Sequence, residues 1–347
     1  MNRNARLRLA MAALHPVRTR TLLERFGSAD AVVRAMRRGQ VQVSHRASAA
    51  LERPIGDIRE MLRGLEVWPV WRGEAGYPEM LDGVPDGPDL LFVRGRIPSG
   101  PAVAVVGTRR CTAYGRTLAR AYGAAIAGAG WTTVSGLARG IDAEAHRGST
   151  GAAGPGVAVL GSGSNVVYPA EHRDLHERLI EGGGAVVTEY PPGTPPEPWR
   201  FPPRNRIISG LSAAVVVVEA AAKGGALITA MAAVDQAKVV LAVPGDIDRE
   251  SSEGCNLLIR DGAVPVMGPD DLIEAISLIV GPPRPNSIAP RPPDGDSILE
   301  ALGPTGASIE TLVAATGLPA ADVLSGVARL EAGGRITRQG SRVVPNQ

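Results

Sequence analysis

The sequence predicts an α/β protein: an open, doubly wound, mostly parallel sheet, preceded by an all-helical segment and followed by a winged helix. Three observations carry this. Short Val- and Ala-rich runs recur through residues 67–280, most of them followed by glycine or another turn signal and then a helical stretch. Residues 1–66 place apolar side chains at helical spacing and show no strand pattern. A Pro-rich stretch at 281–296, GPPRPNSIAPRPPDGD, reads as a linker to a compact helix–helix–helix–hairpin order at 297–347.

At the N-terminus, Leu7, Met11 and Leu14 fall on one helical face, and Leu22, Leu23 and Phe26 on another. Gly27 then stops a helix, Ser28 caps the next, and Ala31, Val32, Ala35 and Met36 continue the pattern. The expected strands are Ala102–Val106, Thr132–Val134, Gly156–Leu160, Ala185–Val187, Ala213–Val218, Val239–Val243 and Val264–Val266. Continuous apolar runs of this kind belong to a sheet covered on both faces, and their uneven spacing favours an open sheet over a closed barrel. Glu66–Val70 and Leu90–Val93 are expected to add an edge hairpin. In the last segment, Ile298–Leu302, Ser308–Thr316, Pro319–Ala332 and Arg335–Val344 give the winged-helix order, with Leu312, Val323, Val327 and Leu330 as its core.

The 347 residues are 44% hydrophobic and 21% charged, a globular composition, with a net charge of +2. The charge is unevenly placed. Residues 1–66 carry thirteen arginines against six acids, a net of +7; residues 67–280 carry eighteen basic and twenty-three acidic residues, a net of −5. A basic head points to an anionic partner for that head. Cys111 and Cys255 stand in no CxxC and no His/Cys cluster, so neither a disulfide framework nor a structural zinc is expected. No apolar run approaches the ~18 residues of a membrane span. Leu9–Leu14 is too short for a signal peptide and stops at His15-Pro16. The expectation is a soluble cytoplasmic protein with no membrane partner.

The glycine turns decide the chemistry. VAVVGTRRCTAYG runs from a strand through Gly107, Thr108 and Arg109 into a helix, which places backbone N–H groups and a guanidinium at the carboxyl edge of the sheet. SGLARGIDAEAH puts Arg139 and Gly140 at the same edge, with Asp142 near the next helix start, and VLGSGSNVVYP adds Gly161, Ser162 and Gly163. WRFPPRNRIISGL brings Arg200, Arg204 and Arg206 beside Trp199 and Phe201. Arginines grip phosphates and an aromatic face stacks on an unpaired base. The competing reading packs Trp199 and Phe201 under a loop, with the arginines solvated or paired to acids. Neither GxGxxG nor GxxxxGK[ST] occurs, so no nicotinamide, flavin or nucleotide cofactor is expected. His146 and His172 have Glu144 and Glu171 nearby, which helix-surface pairing explains; Ser135 lacks the GxSxG elbow; Asp246 and Asp248 lack a third ligand. No enzyme active site and no metal site are expected.

Eight segments, VAVVGTRRCTAYG, SGLARGIDAEAHRG, VAVLGSGSNVVYPAEHRDL, FPPRNRIISGL, VVVVEA, GALITAMAA, VLAVPGD and GCNLLIRDGA, resemble in order and spacing the DprA/Smf family of bacterial DNA-processing proteins. The resemblance covers roughly residues 67–275. It implies an extended Rossmann-like domain that binds single-stranded DNA, a SAM-like helical N-terminal domain and a C-terminal winged helix. It also implies protection of incoming single strands in natural transformation, loading of RecA onto strands covered by single-strand-binding protein, and a homodimer. The family's glycine–Ser/Thr–arginine turn falls on Gly107, Thr108 and Arg109, its SGLARGID turn on Ser135–Asp142, and its FPxRNRIIxGL segment on Phe201–Leu211, which includes Asn205. Two departures stand out: Gly224-Gly225-Ala226-Leu227-Ile228-Thr229 replaces Ser-Gly-x-Leu-Ile-Thr, and YPAEH carries His172 where the family has asparagine.

The leading expectation is therefore a sequence-tolerant single-strand binder in which Arg109, Arg139, Arg204 and Arg206 grip phosphates and Phe201 stacks a base. The backbone N–H groups of the Gly107 and Gly161 turns are expected to assist. The alternative is an enzyme like the nucleoside-monophosphate phosphoribohydrolases, which share a related fold. Their PGGxGTxxE segment is absent, since AKGGALITA has glycines but no Glu. A duplex-reading winged helix is disfavoured, because the helix Pro319–Ala332 carries one basic residue, Arg329, and only Arg335, Arg338 and Arg342 follow.

Overall fold

Helical periodicity in the first 66 residues folds as five helices: α1 (Arg3–Met11), α2 (Pro16–Phe26), α3 (Ala29–Arg37), α4 (His45–Glu52) and α5 (Ile55–Gly64). In this computed structural model the described residues are 2–283 other than 75 and 85, and, beyond 301, residues 302, 306–316, 320–332, 335–339 and 342–346. Gly27 ends α2 in a left-handed conformation (φ 77°), and the Ser28 side chain accepts the Ala31 N–H to start α3. Leu22, Val32, Met36 and Leu51 form the core of this bundle. Leu7, Ile58 and Leu62 turn the other way and pack on Val67, Trp71, Leu90 and Phe92 of the sheet's edge hairpin. Arg6, 7% exposed, fastens the junction: it pairs with Asp89 at 2.6 Å and lies 4.8 Å from the Trp71 ring centroid.

The edge hairpin is β1 (Val67–Trp71) and β2 (Leu90–Gly95), joined through the short α6 (Glu79–Asp82). Then come β3 (Ala102–Val106), α7 (Ala113–Gly128), β4 (Thr132–Ser135), α8 (Ile141–Gly151), β5 (Gly156–Val159), α9 (Arg173–Glu181) and β6 (Ala185–Thr188). The chain continues with α10 (Phe201–Gly210), β7 (Ala214–Val217), α11 (Gly225–Asp235), β8 (Val239–Ala242), α12 (Glu250–Arg260), β9 (Val264–Pro265) and α13 (Pro269–Val280). The nine strands order as β1-β2-β6-β5-β4-β3-β7-β8-β9. All neighbours from β6 to β9 in that order are parallel, and β2 joins β6 antiparallel, with Val93 opposite Val187.

Every residue of β3 to β7 is buried, as the unbroken apolar runs require of strands covered on both faces. Ile207, Ala230 and Cys255, from α10, α11 and α12, share the core on one face; Ala119, Tyr122, Leu272 and Ile276, from α7 and α13, share the core on the other. The chain builds outward from β3 through β4, β5 and β6, then returns to lay β7 on the opposite side of β3. That reversal opens a crevice outside the carboxyl ends of β3 and β7.

The chain divides into two compact units, Met1–Asn286 and Ser287–Gln347. The second contains β10 (Ala307–Ser308), α14 (Ile309–Thr316), α15 (Ala320–Ala332), β11 (Ile336–Gln339) and β12 (Arg342–Pro345), its sheet ordered β10-β12-β11. Leu312, Val323, Val327 and Leu330 are its core, joined by Leu302, Ile336 and Val343. A short strand, β10, adds to the expected hairpin. The linker expected at 281–296 from residue 284 onward, the first helix expected at 298–302 apart from Leu302, and the Arg329 side chain lie outside the described residues. Cys111 and Cys255 are free and buried. Among the described residues no helix is long and apolar enough to cross a membrane.

Candidate functional site

The crevice is a cleft of about 480 Å³, lined by the Gly107–Arg109 turn, Asp142, Tyr168, the Phe201–Asn205 start of α10 and the Gly224–Ala226 turn before α11. Its floor depends on two interlocked glycines. A Cβ on Gly107 would stand 2.4 Å from the Ile141 side chain and 2.9 Å from the Glu219 carbonyl oxygen. Gly140 has φ +77°, and a Cβ there would lie 2.3 Å from the Thr108 carbonyl oxygen, so both conformation and contact demand glycine. Thr108 donates its N–H to the Glu219 carbonyl at 2.7 Å, and the Ile141 N–H reaches the Thr108 carbonyl at 3.3 Å. Arg109 emerges from this platform as an exposed lip residue. Its guanidinium carbon lies 5.2 Å from the Phe201 ring centroid, and the Tyr168 ring is 5.7 Å from Phe201 on a tilted approach. The Phe201 ring rests on Gly161, where a Cβ would come within 2.9 Å of a ring carbon.

The N-terminus of α7 is the point where a dinucleotide phosphate sits in many doubly wound folds. Here the protein's own carboxylate fills it. Glu219, 6% exposed at the end of β7, accepts the Thr112 N–H at 2.9 Å and the Thr112 hydroxyl at 2.5 Å. Thr112 in turn caps the Gly115 N–H at 3.0 Å. The same carboxylate would stand 2.4 Å from a Cβ on Gly115. A second anion at this end of α7 would lie against the Glu219 carboxylate.

Several arginines are placed otherwise than the sequence reading expects. Arg204, 5% exposed, donates to the Gly136 carbonyl at 2.9 Å, to the Val159 carbonyl and to Asn205 Oδ1 at 3.2 Å. Desolvation pushes its pKa down to about 10, opposed by the nearby Asp142 carboxylate. Burial raises the pKa of Asp142 itself, against the Arg204 charge and the Ala138 and Gly136 N–H groups. Arg206, 9% exposed, donates to both Glu189 oxygens at 3.0 and 2.9 Å and lies 3.3 Å from Asp86. The reading of Arg204 and Arg206 as free phosphate grips is corrected: PPRNRIISG is helical, and the fourth and sixth residues of α10 turn inward to tie the β4, β5 and β6 loops together. Asn205 belongs to the same frame, donating to the Gly225 carbonyl at 3.3 Å.

The Gly161 turn is partly engaged within the fold. Gly163 N–H already donates to the Thr194 carbonyl at 2.9 Å, and the Ser162 hydroxyl to the Val166 carbonyl at 2.9 Å. All three residues, Gly161, Ser162 and Gly163, are buried, and Gly161 seats the Phe201 ring. Arg139 is exposed, but it is held by Glu171 at 2.5 Å. The two aromatic residues of WRF part company. Trp199 is stacked on His15 at 5.4 Å with the Arg200 guanidinium 4.2 Å from its ring, and it packs the helical bundle onto the 190–200 loop; Phe201 alone faces the cleft. Tyr168, 39% exposed in the cleft, is the residue that sequence reasoning missed, although it stands in the quoted VVYPAEH segment.

The histidines are structural. Burial pushes the His146 pKa down to about 3, and His172 Nδ1 lies 2.9 Å from the Leu137 carbonyl. Their neighbouring acids pair with arginines instead: Glu144 with Arg120 and Arg147, each at 2.6 Å, and Glu171 with Arg139. Ser135 is buried and donates to the Val105 carbonyl at 2.6 Å. Among the described residues no group of three His, Cys, Asp or Glu side chains could hold a metal ion.

Residues 68–277 match the family described as DNA recombination-mediator protein A, and residues 282–341 match the DprA winged helix domain. The Protein Smf of Escherichia coli (strain K12) is 44% identical over 200 residues, 57% of this chain and 54% of that protein. The DNA processing protein DprA of Bacillus subtilis (strain 168) is 37% identical over 229 residues, 65% of this chain and 75% of that protein. The chain spans about half the length of the first two curated relatives it matches, 54% and 52%. The X-ray structure of DNA processing protein A from Streptococcus pneumoniae superposes with a TM-score of 0.61 at 30% identity, covering 78% of this chain and 97% of that one. The Helicobacter pylori DNA processing protein A, whose structure concerns its single-stranded DNA binding mode, gives 0.54 at 24% identity over 61% of this chain and 95% of that one, a likeness of fold.

Proposed function

Because the chain belongs to the DNA recombination-mediator protein A family, we propose that it binds single-stranded DNA across the cleft above β3 and β7. The observation that carries the reading is the grouping of the exposed Arg109 with the Phe201 and Tyr168 rings at the carboxyl edge of a parallel sheet. In this arrangement Arg109 leaves the Phe201 ring to pair with a phosphate, and a base takes its place on the aromatic face. Arginine supplies a bidentate, charge-assisted contact, and stacking tolerates any base, so binding is largely independent of sequence. Gly107, Thr108 and Gly140 hold Arg109 at the lip. Arg204, Asn205 and Arg206 hold the loops from below, and Arg139 borders the site with its charge shared by Glu171.

The protein acts as a binding protein of the DprA/Smf type, with no cofactor and no metal. It shields incoming single strands and helps to load RecA on strands covered by single-strand-binding protein, in the cytoplasm and as a homodimer. The exposed face of α11, with Ile228, Met231 and Val234 at 43, 67 and 63% exposure, supports an apolar contact of that kind. The Gly224-Gly225 turn before α11 brings no carboxylate to the cleft, which disfavours a phosphoribohydrolase. The test is a comparison of labelled oligo-dT with duplex of equal length at two salt concentrations. The single strand should bind more tightly, and equal affinity at physiological salt would overturn the reading.

A further inference from the structure

We propose that the strand leaving the cleft continues along the outer flank of α7, where Arg116 and Arg120, with Arg147 beside them on Glu144, form a second phosphate-binding track. The proposal rests on the single-strand reading of the cleft. A groove of about 530 Å³ runs along this flank, floored by Ala113, Ala121 and Ala124 and walled by Arg116, Arg120 and Glu144. The small floor residues leave the guanidinium groups as the dominant features of the surface. Arg116 and Arg120 are four residues apart and share a helix face, and α7, AYGRTLARAYGAAIAG, has no acidic residue.

Arg116 links the groove to the loop of the cleft lip. Arg116 Nη1 donates to the Cys111 carbonyl at 3.3 Å, which holds its guanidinium against the loop that carries Arg109. Glu144 is the carboxylate of the groove, and it is already neutralised. Its side chain is 8% exposed and takes Arg120 on one oxygen and Arg147 on the other, both at 2.6 Å. Arg116 and Arg120 line the groove, and Arg147, outside the lining, shares the Glu144 charge; these three guanidinium groups and the one carboxylate they surround sum to +2. Arg120 and Arg147 keep 60% and 38% of their side chains exposed, so each has donors left for a phosphate. The other acid on α8, Asp142, is buried beside Arg204, and Asp270, Asp271 and Glu274 of α13 do not line the groove.

Close packing fixes the spacing of the walls. A Cβ on Gly123 would be 2.0 Å from the Ala145 carbonyl oxygen, and one on Gly148 would be 2.0 Å from the Arg120 carbonyl oxygen. These two glycines let α7 and α8 touch backbone to backbone, so the arginines stand on a rigid pair of helices. Pre-organised charge of this kind loses little freedom on binding.

The experiment compares oligo-dT of about six nucleotides, at the low end of single-strand site sizes, with oligo-dT of about twenty. Each is titrated against the full chain, Arg116→Gln, Arg116→Lys and Arg109→Ala. Among the described residues Arg116 makes no ion pair or hydrogen bond with Glu144, so its replacement leaves the Arg120–Glu144–Arg147 pairing in place. Arg116→Gln is expected to bind the short oligonucleotide within about twofold of the unmodified protein and the long one about five- to tenfold more weakly. Its salt slope on the long strand should fall by about 0.7 for each phosphate that no longer meets a guanidinium. Arg116→Lys should recover part of the affinity. Equal weakening on both lengths, or none on the long one, overturns the track while leaving the cleft standing. Failure of the unmodified protein to bind either length overturns both.

Discussion

Replacing Arg109 with alanine removes the one lip guanidinium that the structure leaves without an ion pair among the described residues and in contact with the cleft. Its packing partner is the Phe201 ring, 5.2 Å from the guanidinium carbon. An exposed cation–π contact contributes about 0.5–1 kcal/mol to folding. A loss of that size lowers the melting temperature of a unit this large by no more than about 4 °C. The effect on binding is larger. One charge-assisted hydrogen bond to phosphate is worth about 1.5–3 kcal/mol, so the variant should bind oligo-dT about ten- to a hundredfold more weakly. Arg109→Lys should recover part of this, since lysine keeps the charge and loses the fork. Arg110→Ala, at the exposed neighbouring position, should stay within about twofold. Fluorescence anisotropy with labelled oligo-dT reads the affinity, and differential scanning fluorimetry reads the fold. A folded Arg109→Ala protein that binds like the unmodified chain would refute the placement of phosphate at this turn. A protein that melts ten or more degrees early, about 2.5 kcal/mol or more at this size, would make the residue structural.

Arg204→Met should register in stability: it leaves the buried Gly136 and Val159 carbonyls without their donor and removes the guanidinium near Asp142, at a cost of about 1–3 kcal/mol for each orphaned carbonyl in urea denaturation. Adding Asp142→Asn should restore part of the loss, and a stable single variant with weakened DNA binding would return Arg204 to the role of a direct grip. Truncation after Val280 should keep single-strand affinity within tenfold, about 1.4 kcal/mol, because the second compact unit begins at Ser287; a greater loss would make that unit part of the site. His146 gives the protein an acid limit. Its folded pKa is about 3 against an ordinary 6.5, so as pH falls through that window the unfolded chain takes up a proton that the folded one refuses. Stability from this group is complete above about pH 6.5 and falls by up to ~1.4 kcal/mol per unit below it. Urea titrations near pH 7.5 and 4.5 should show a flatter dependence for His146→Leu, and matching slopes would remove the histidine from the explanation.

The order of strands and helices was legible in the sequence because its causes are local. An unbroken Val-rich run such as Ala102–Val106 is readable as a strand buried on both faces, and Gly27-Ser28 is readable as a stop and a cap, from neighbours a few residues away. The turn at Gly107, Thr108 and Arg109 was legible for the same reason: strand, glycine and helix start are contiguous. The fate of the charges was not. Arg204 reads as an exposed cation until β4 and β5 bring the Gly136 and Val159 carbonyls to it from 68 and 45 residues away. Arg206 meets Glu189 and Asp86 only because the edge loops converge there, and Glu219 closes the α7 N-terminus from 107 residues away. Periodicity along the chain determines which residues form elements and which face is apolar. Whether a charged side chain reaches solvent or is neutralised inside depends on donors and acceptors that only the folded sheet places within 3 Å of it, and no local pattern records that distance.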